Sequence, residues 1–159
     1  MRKASLLICG LAGAITGTLT HAADDAWEAS AAPVAQENGQ AYCHMTRRDG
    51  ARVLSIIAHP GKQFIGVFAP RLKGKDVDLE ADLRFAGGNS YTLNWLGANG
   101  SYTAQLSPTG LSTVLDAIWL WDEAMSIVAA PDISVRFPLD GAAGAARRMK
   151  DCRKQMAEE

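Results

Sequence analysis

Apolar and polar residues alternate with a period of two through the middle of the chain, the mark of strands that are wet on one face and buried on the other. The clearest stretch sets Val77, Leu79, Ala81, Leu83 and Phe85 on one face against Asp76, Asp78, Glu80, Asp82 and Arg84 on the other. Gly87-Gly88-Asn89 predicts a turn into Tyr91, Leu93 and Trp95, and Ala98-Asn99-Gly100 a second turn into Tyr102, Ala104 and Leu106. Three strands on two short turns predict an antiparallel meander. Upstream, strands are expected around residues 27–31, 41–46 and 52–59, with Asp49-Gly50 as a tight turn and residues 32–40 as a polar loop. Residues 63–69 differ, because Phe64, Ile65, Val67 and Phe68 put apolar groups on both faces. Such a strand is either covered on both sides or has one face awaiting a partner.

The period then changes. Ser107-Pro108 reads as a helix start, a capping hydroxyl followed by proline at the first helical position. Leu111, Val114, Leu115, Ile118 and Trp119 recur at helical spacing, with the sheet as their expected destination. Strands are predicted at 125–129 and 133–137 around a Pro131-Asp132 turn. Asp140 is placed to cap a closing helix whose stripe Ala142, Ala146, Met149, Cys152 and Met156 faces inward, with fraying expected from Gln155. The fold class is mainly β (α+β): an antiparallel β-sandwich or a curled sheet with two helices packed on it. Neither repeats nor a second domain are visible.

The first 22 residues stand apart. Met1-Arg2-Lys3, the apolar run Leu6 to Ile15 and the small-residue exit Thr20-His21-Ala22-Ala23 have the three zones of a secretory signal, which leaves residues 23–159 as one domain. The run is short of the roughly 20 apolar residues that span a bilayer, so no transmembrane anchor is expected. The expected location is the periplasm or outside the cell. Of the 16 Lys and Arg, Arg2 and Lys3 lie in the leader, leaving 14 against 17 Asp and Glu, a formal charge of −3. Mild acidity argues against nucleic acid, whose binding needs clustered bases. The one basic cluster, Arg147-Arg148-Lys150-Arg153-Lys154, is interleaved with acids and fits cations near a helix C-terminus.

Removing the leader also removes Cys9 and leaves Cys43 and Cys152. In an oxidising compartment a lone pair joins, and closing a loop of about 100 residues stabilises by about 4 to 5 kcal/mol in the chain-entropy model. Without a Cys-x-x-Cys pair, a structural disulfide is the better reading than redox chemistry.

Little else suggests catalysis. Beyond the leader the histidines are His44 and His59, and the sequence has no Gly-x-Ser-x-Gly, no Walker-type loop and no His-Glu-x-x-His. The row Asp76, Asp78, Glu80, Asp82 lacks a calcium-loop glycine and reads as a solvated strand face. His44, Met45 and His59 offer soft and imidazole ligands for copper, but form a thin set. Catalytic, cofactor and metal sites are therefore expected to be absent. Phe64, Phe68 and Trp121 are the candidates for partner contact, since an exposed aromatic can anchor an interface; Trp121 is expected to face outward if Trp119 is buried.

An early Trp and Cys, a β-rich middle and the run Ile133-Ser134-Val135-Arg136-Phe137-Pro138-Leu139-Asp140-Gly141 leading to Ala142, Ala145 and Cys152 carry a resemblance. Together with the leader they resemble small exported proteins of the invasion-associated locus B type, most clearly over residues 101–152. The family's mid-chain cysteine pair has no counterpart in residues 91–106. The resemblance implies a compact periplasmic β-sandwich-like domain without known catalysis, in some members linked to envelope function or entry into host cells. No functional residue carries over. The expected role is a non-enzymatic binding or adaptor protein of the bacterial envelope, its partner an envelope or host protein reached by strand addition or an apolar patch. The alternatives are an inhibitor or immunity protein against an exported hydrolase or toxin and, third, a hydrolase built on His44 or His59.

Overall fold

The computed structural model describes residues 26–158 apart from residue 38, 73–77, 121–122 and 131–132. The leader, Asp76, Val77, Trp121 and the Pro131-Asp132 turn lie outside the described residues. Among those described, the elements are β1 (Trp27–Ala29), β2 (Val34–Ala35), β3 (Ala41–Asp49), β4 (Arg52–His59), β5 (Lys62–Phe68), a 3-10 turn (Pro70–Leu72), β6 (Asp78–Phe85), β7 (Ser90–Ala98), β8 (Ser101–Leu106), α1 (Pro108–Leu120), β9 (Ala124–Ala130), β10 (Ile133–Pro138) and α2 (Ala142–Glu158).

All strands join one antiparallel sheet in the order β1-β3-β4-β5-β8-β7-β6-β9-β10, with β2 paired to β3. Of the two forms open from sequence, the chain takes the single curled sheet. The predicted meander is β6-β7-β8. Its second turn pairs Ala98 with Ser101, and Asn99 (φ 55°) with Gly100 (φ 89°) takes the left-handed pair of a type I′ turn. A second meander, β3-β4-β5, abuts the first through β5 and β8, and the β9-β10 hairpin adds onto β6. The polar loop of residues 32–40 includes the short β2.

Side-chain alternation turns register into a core. Met45, Ile56, Ile65, Ala104 and Trp95 lie opposite one another across five strands, all fully buried on the inner face. Leu83, Ile127 and Val135 continue that face on the far side. The polar tips are satisfied: the Trp95 indole donates to the Ala81 carbonyl (3.3 Å) and the Tyr102 hydroxyl to the Leu72 carbonyl (3.2 Å). The two helices pack together inside the curl, α2 against β1 and β3 and α1 against β5 and β8.

The helix signals are confirmed at one start and altered at the other. The Ser107 hydroxyl accepts the Gly110 amide (2.9 Å) ahead of Pro108, as a cap should. Asp140 does not cap α2. It shares a turn with Gly141 (φ 74°), in which the Ala142 amide reaches the Leu139 carbonyl, and its carboxylate lies 3.7 Å from the buried Arg47. The stripe Ala142, Ala146, Met149 and Cys152 is fully buried. Cys43 and Cys152 are joined, with Cα atoms 5.9 Å apart, which clamps α2 to β3. The Ser30 hydroxyl accepts the His44 amide (2.9 Å) and lies 3.5 Å from the Cys152 sulfur.

The basic cluster runs from the middle of α2 toward its end rather than sitting at the terminus. Because α2 runs on to Glu158, Arg147 and Lys150 lie in mid-helix, where both cations cover the Trp119 ring at 5.7 and 4.7 Å. Trp119 is accordingly 48% exposed rather than turned to the sheet. Ala117 takes the buried place beside Val114 and Ile118, a small residue that rotates α1 away from its tryptophan.

Candidate binding surfaces

The two-faced apolar strand resolves into two environments. Ile65 and Val67 of β5 face the core, whereas Phe64, Gly66 and Phe68 face outward. On that outer face Phe64 lies opposite Ile57, Gly66 opposite Ser55 and Thr103, and Phe68 opposite Val53 and Ser101. Gly66 has no side chain to fill the row, so the two phenylalanines flank a groove of about 170 Å³ floored by its backbone. Phe68 is 40% exposed, and Leu96, opposite Thr103, extends the apolar surface. Because β5 is hydrogen-bonded to β4 on one side and β8 on the other, its backbone cannot accept another strand; only its face is open. Trp121 lies outside the described residues.

The remaining candidates separate by face. Tyr42, His44 and His59 share the outer face, the Tyr42 ring centroid lying 5.6 Å from one imidazole and 5.7 Å from the other. Met45 is fully buried on the opposite face, so it cannot join them at one ion. Among the described residues no three His, Cys, Asp or Glu side chains group to hold a metal. No helix among them is long and apolar enough to cross a membrane. In the acidic row, Asp82 accepts hydrogen bonds from Arg84 (2.7 and 3.2 Å) and Thr92 (2.8 Å). These hold its carboxyl below the usual carboxylate range, Arg84 contributing most.

A second concavity has no counterpart in the sequence reading. The β4-β5 turn, α1 and the last turns of α2 enclose a cleft of about 590 Å³, within the range of small-molecule sites. Gln63 from β5, Ser112 from α1 and Lys150, Arg153 and Lys154 from α2 line it. Lys150 pairs with Asp116, and Lys154 lies 3.9 Å from Asp151. Arg153 instead donates to the Ser112 hydroxyl at 3.3 Å, and burial pulls its guanidinium down from the ordinary arginine range. The signal was legible: Arg153 adjoins Cys152 on the edge of the buried stripe, where a long cation lies along the core and carries its head to the rim.

No protein-family model, curated protein or solved structure matches the chain. The two surfaces therefore stand on their geometry.

Proposed function

We propose that the chain is an exported binding or adaptor protein of the bacterial envelope, which holds a partner protein on the outer face of its sheet. The observation that carries the reading is the Gly66 groove, bounded by Phe64 and Phe68, with Phe68 40% exposed on a rigid central strand. The occupant is one large apolar side chain of a folded partner, seated over Gly66 and ringed by the polar Ser55, Ser101 and Thr103. A buried apolar anchor within a polar rim is the common energetic centre of a protein interface. The disulfide and the leader-like first 22 residues support export, and the resemblance to exported proteins of the invasion-associated locus B type supports the envelope setting.

The test is a photo-reactive residue at position 68, with one at Glu80 as a control on the same outer face. Cross-linking in the periplasm is expected to capture one identifiable partner from position 68 and not from position 80. Capture through position 68 should be lost when Gly66→Val fills the groove, and co-purification of the same partner by the protein without the photo-reactive residue should be weakened in Phe68→Ala. Unchanged capture with Gly66→Val and unchanged co-purification by the double variant Phe68→Ala with Trp121→Ala would overturn the assignment.

A further inference from the structure

The cleft beneath α2 contains several polar groups that the fold leaves incomplete, the His59 Nδ1 among them, and two carry the argument. The first is Arg153, half-buried, with one donor engaged by Ser112 and no carboxylate partner among the described residues. Lys150 and Lys154 are compensated by Asp116 and Asp151, so the uncompensated charge is that of the guanidinium, whose planar donors suit an oxyanion. The second is Gln63, only 7% exposed. Its Nε2 reaches toward the His59 carbonyl at 3.5 Å, while its Oε1 is buried without any donor. A buried acceptor left unpaired is unfavourable. Exchanging the two ends of the amide would set oxygen against the His59 oxygen. The His59 contact favours this orientation; Oε1 is closed to solvent, so a ligand hydroxyl reaches it through a small shift of the Gln63 side chain in the cleft wall.

We propose that this cleft is a binding site for a small hydroxylated oxyanion, a sugar acid or sugar phosphate, its anionic group on Arg153 and a hydroxyl donating to Gln63 Oε1. Met156 supplies an apolar wall for the carbon skeleton. The site is separate from the outer-face groove and does not depend on that reading.

The test uses the full disulfide-bonded protein with glucuronate and glucose 6-phosphate as probes, and glucose and inorganic phosphate as arms lacking the charge or the hydroxylated skeleton. Binding is followed by calorimetry and by the NMR signal of the Met156 methyl. Saturable binding of either anionic sugar with a shift at Met156 is expected, weaker for phosphate and absent for glucose; which anion binds tells carboxylate from phosphate. Arg153→Gln should weaken it at least about tenfold, whereas Arg147→Gln, which removes the same charge outside the cleft, should leave it unchanged. Gln63→Leu should abolish the preference for the sugar over phosphate. The proposal is overturned by no saturable binding at millimolar probe, by binding that leaves Met156 unmoved, by unchanged affinity in Arg153→Gln, or by equal losses in the two arginine variants.

Discussion

Trp27 and Pro138 stand 111 residues apart in the chain and 3.2 Å apart in space, where the indole Nε1 of the first donates to the carbonyl of the second. Two more side chains do the same on that strand. Arg52 donates to the Arg136 carbonyl (2.9 Å) and Arg71 to the Ser134 carbonyl (3.4 Å). Residues 134, 136 and 138 alternate along β10, so their carbonyls point the same way. An edge strand with free carbonyls is a template for unwanted pairing; here side chains from β1, β4 and the 3-10 turn occupy it.

Removing these donors should loosen the seam without dismantling the sheet. Trp27→Phe keeps the buried ring and loses the hydrogen bond, and is expected to cost about 1 kcal/mol. In urea unfolding the midpoint falls and the slope is unchanged. Arg52→Met also loses the Asp49 pair and is expected to speed amide exchange in β10 selectively.

Two glycines of the sheet should respond in opposite ways. At Gly97 (φ 154°) an added Cβ would lie 2.1 Å from the Ser101 carbonyl oxygen, a backbone atom that cannot step aside. Gly97→Ala is expected to cost about 3 kcal/mol. At Gly66 the nearest atoms to an added Cβ are 3.7 and 3.8 Å away, ordinary contacts. Gly66→Val should be neutral or stabilising by up to about 1 kcal/mol. Thermal unfolding of the pair checks both, and a large loss at Gly66 would deprive the capture experiment of its cleanest variant.

Cys152→Ser is expected to destabilise by about 2 to 5 kcal/mol, with the loss localised. Hydrogen exchange should show α2 opening first and the β6-β7-β8 meander retaining its protection, because the meander is held by its own ladder and by Trp95 and Tyr102. Simultaneous exposure of both would contradict a local clamp.

Asp82 sets a pH dependence of definite sign. Its carboxyl is held low chiefly by the Arg84 hydrogen bonds and then by Thr92. A group depressed in the folded state stabilises above its ordinary pKa, and that contribution disappears as pH falls through the lower folded value. An NMR titration should find the Asp82 midpoint below that of an ordinary aspartate, and Arg84→Gln should move it upward.

Strand identities were legible because a half-buried strand writes its two faces into alternate residues, as in Leu83 to Phe85 and Tyr102 to Leu106. The pairings of β5 with β8 and β6 with β9 were not, since antiparallel contact between distant strands leaves no local pattern. The same limit hid the strand-edge role of Trp27. Phe64 and Phe68 were legible as an apolar excess, but the groove needed Gly66 placed between them. Arg153 was visible as one member of a charged run; only the three-dimensional course of α2 separates it from Lys150 and Lys154, which meet carboxylates. Trp119 was misjudged because helical spacing does not register the small Ala117 that lets the helix turn.

The Cys43–Cys152 bond also changes what kind of covalent object the chain is. Residues 43 to 152 form a closed ring carrying a tail at each junction, the joined cysteines having a sequence separation of 109. A protease that cuts once inside any turn of that ring opens it but releases nothing, since both pieces remain tethered through sulfur. Such a nicked molecule gains only the water of hydrolysis and keeps β3 and α2 together. Two cuts, or one cut and a reductant, are needed before any part can diffuse away.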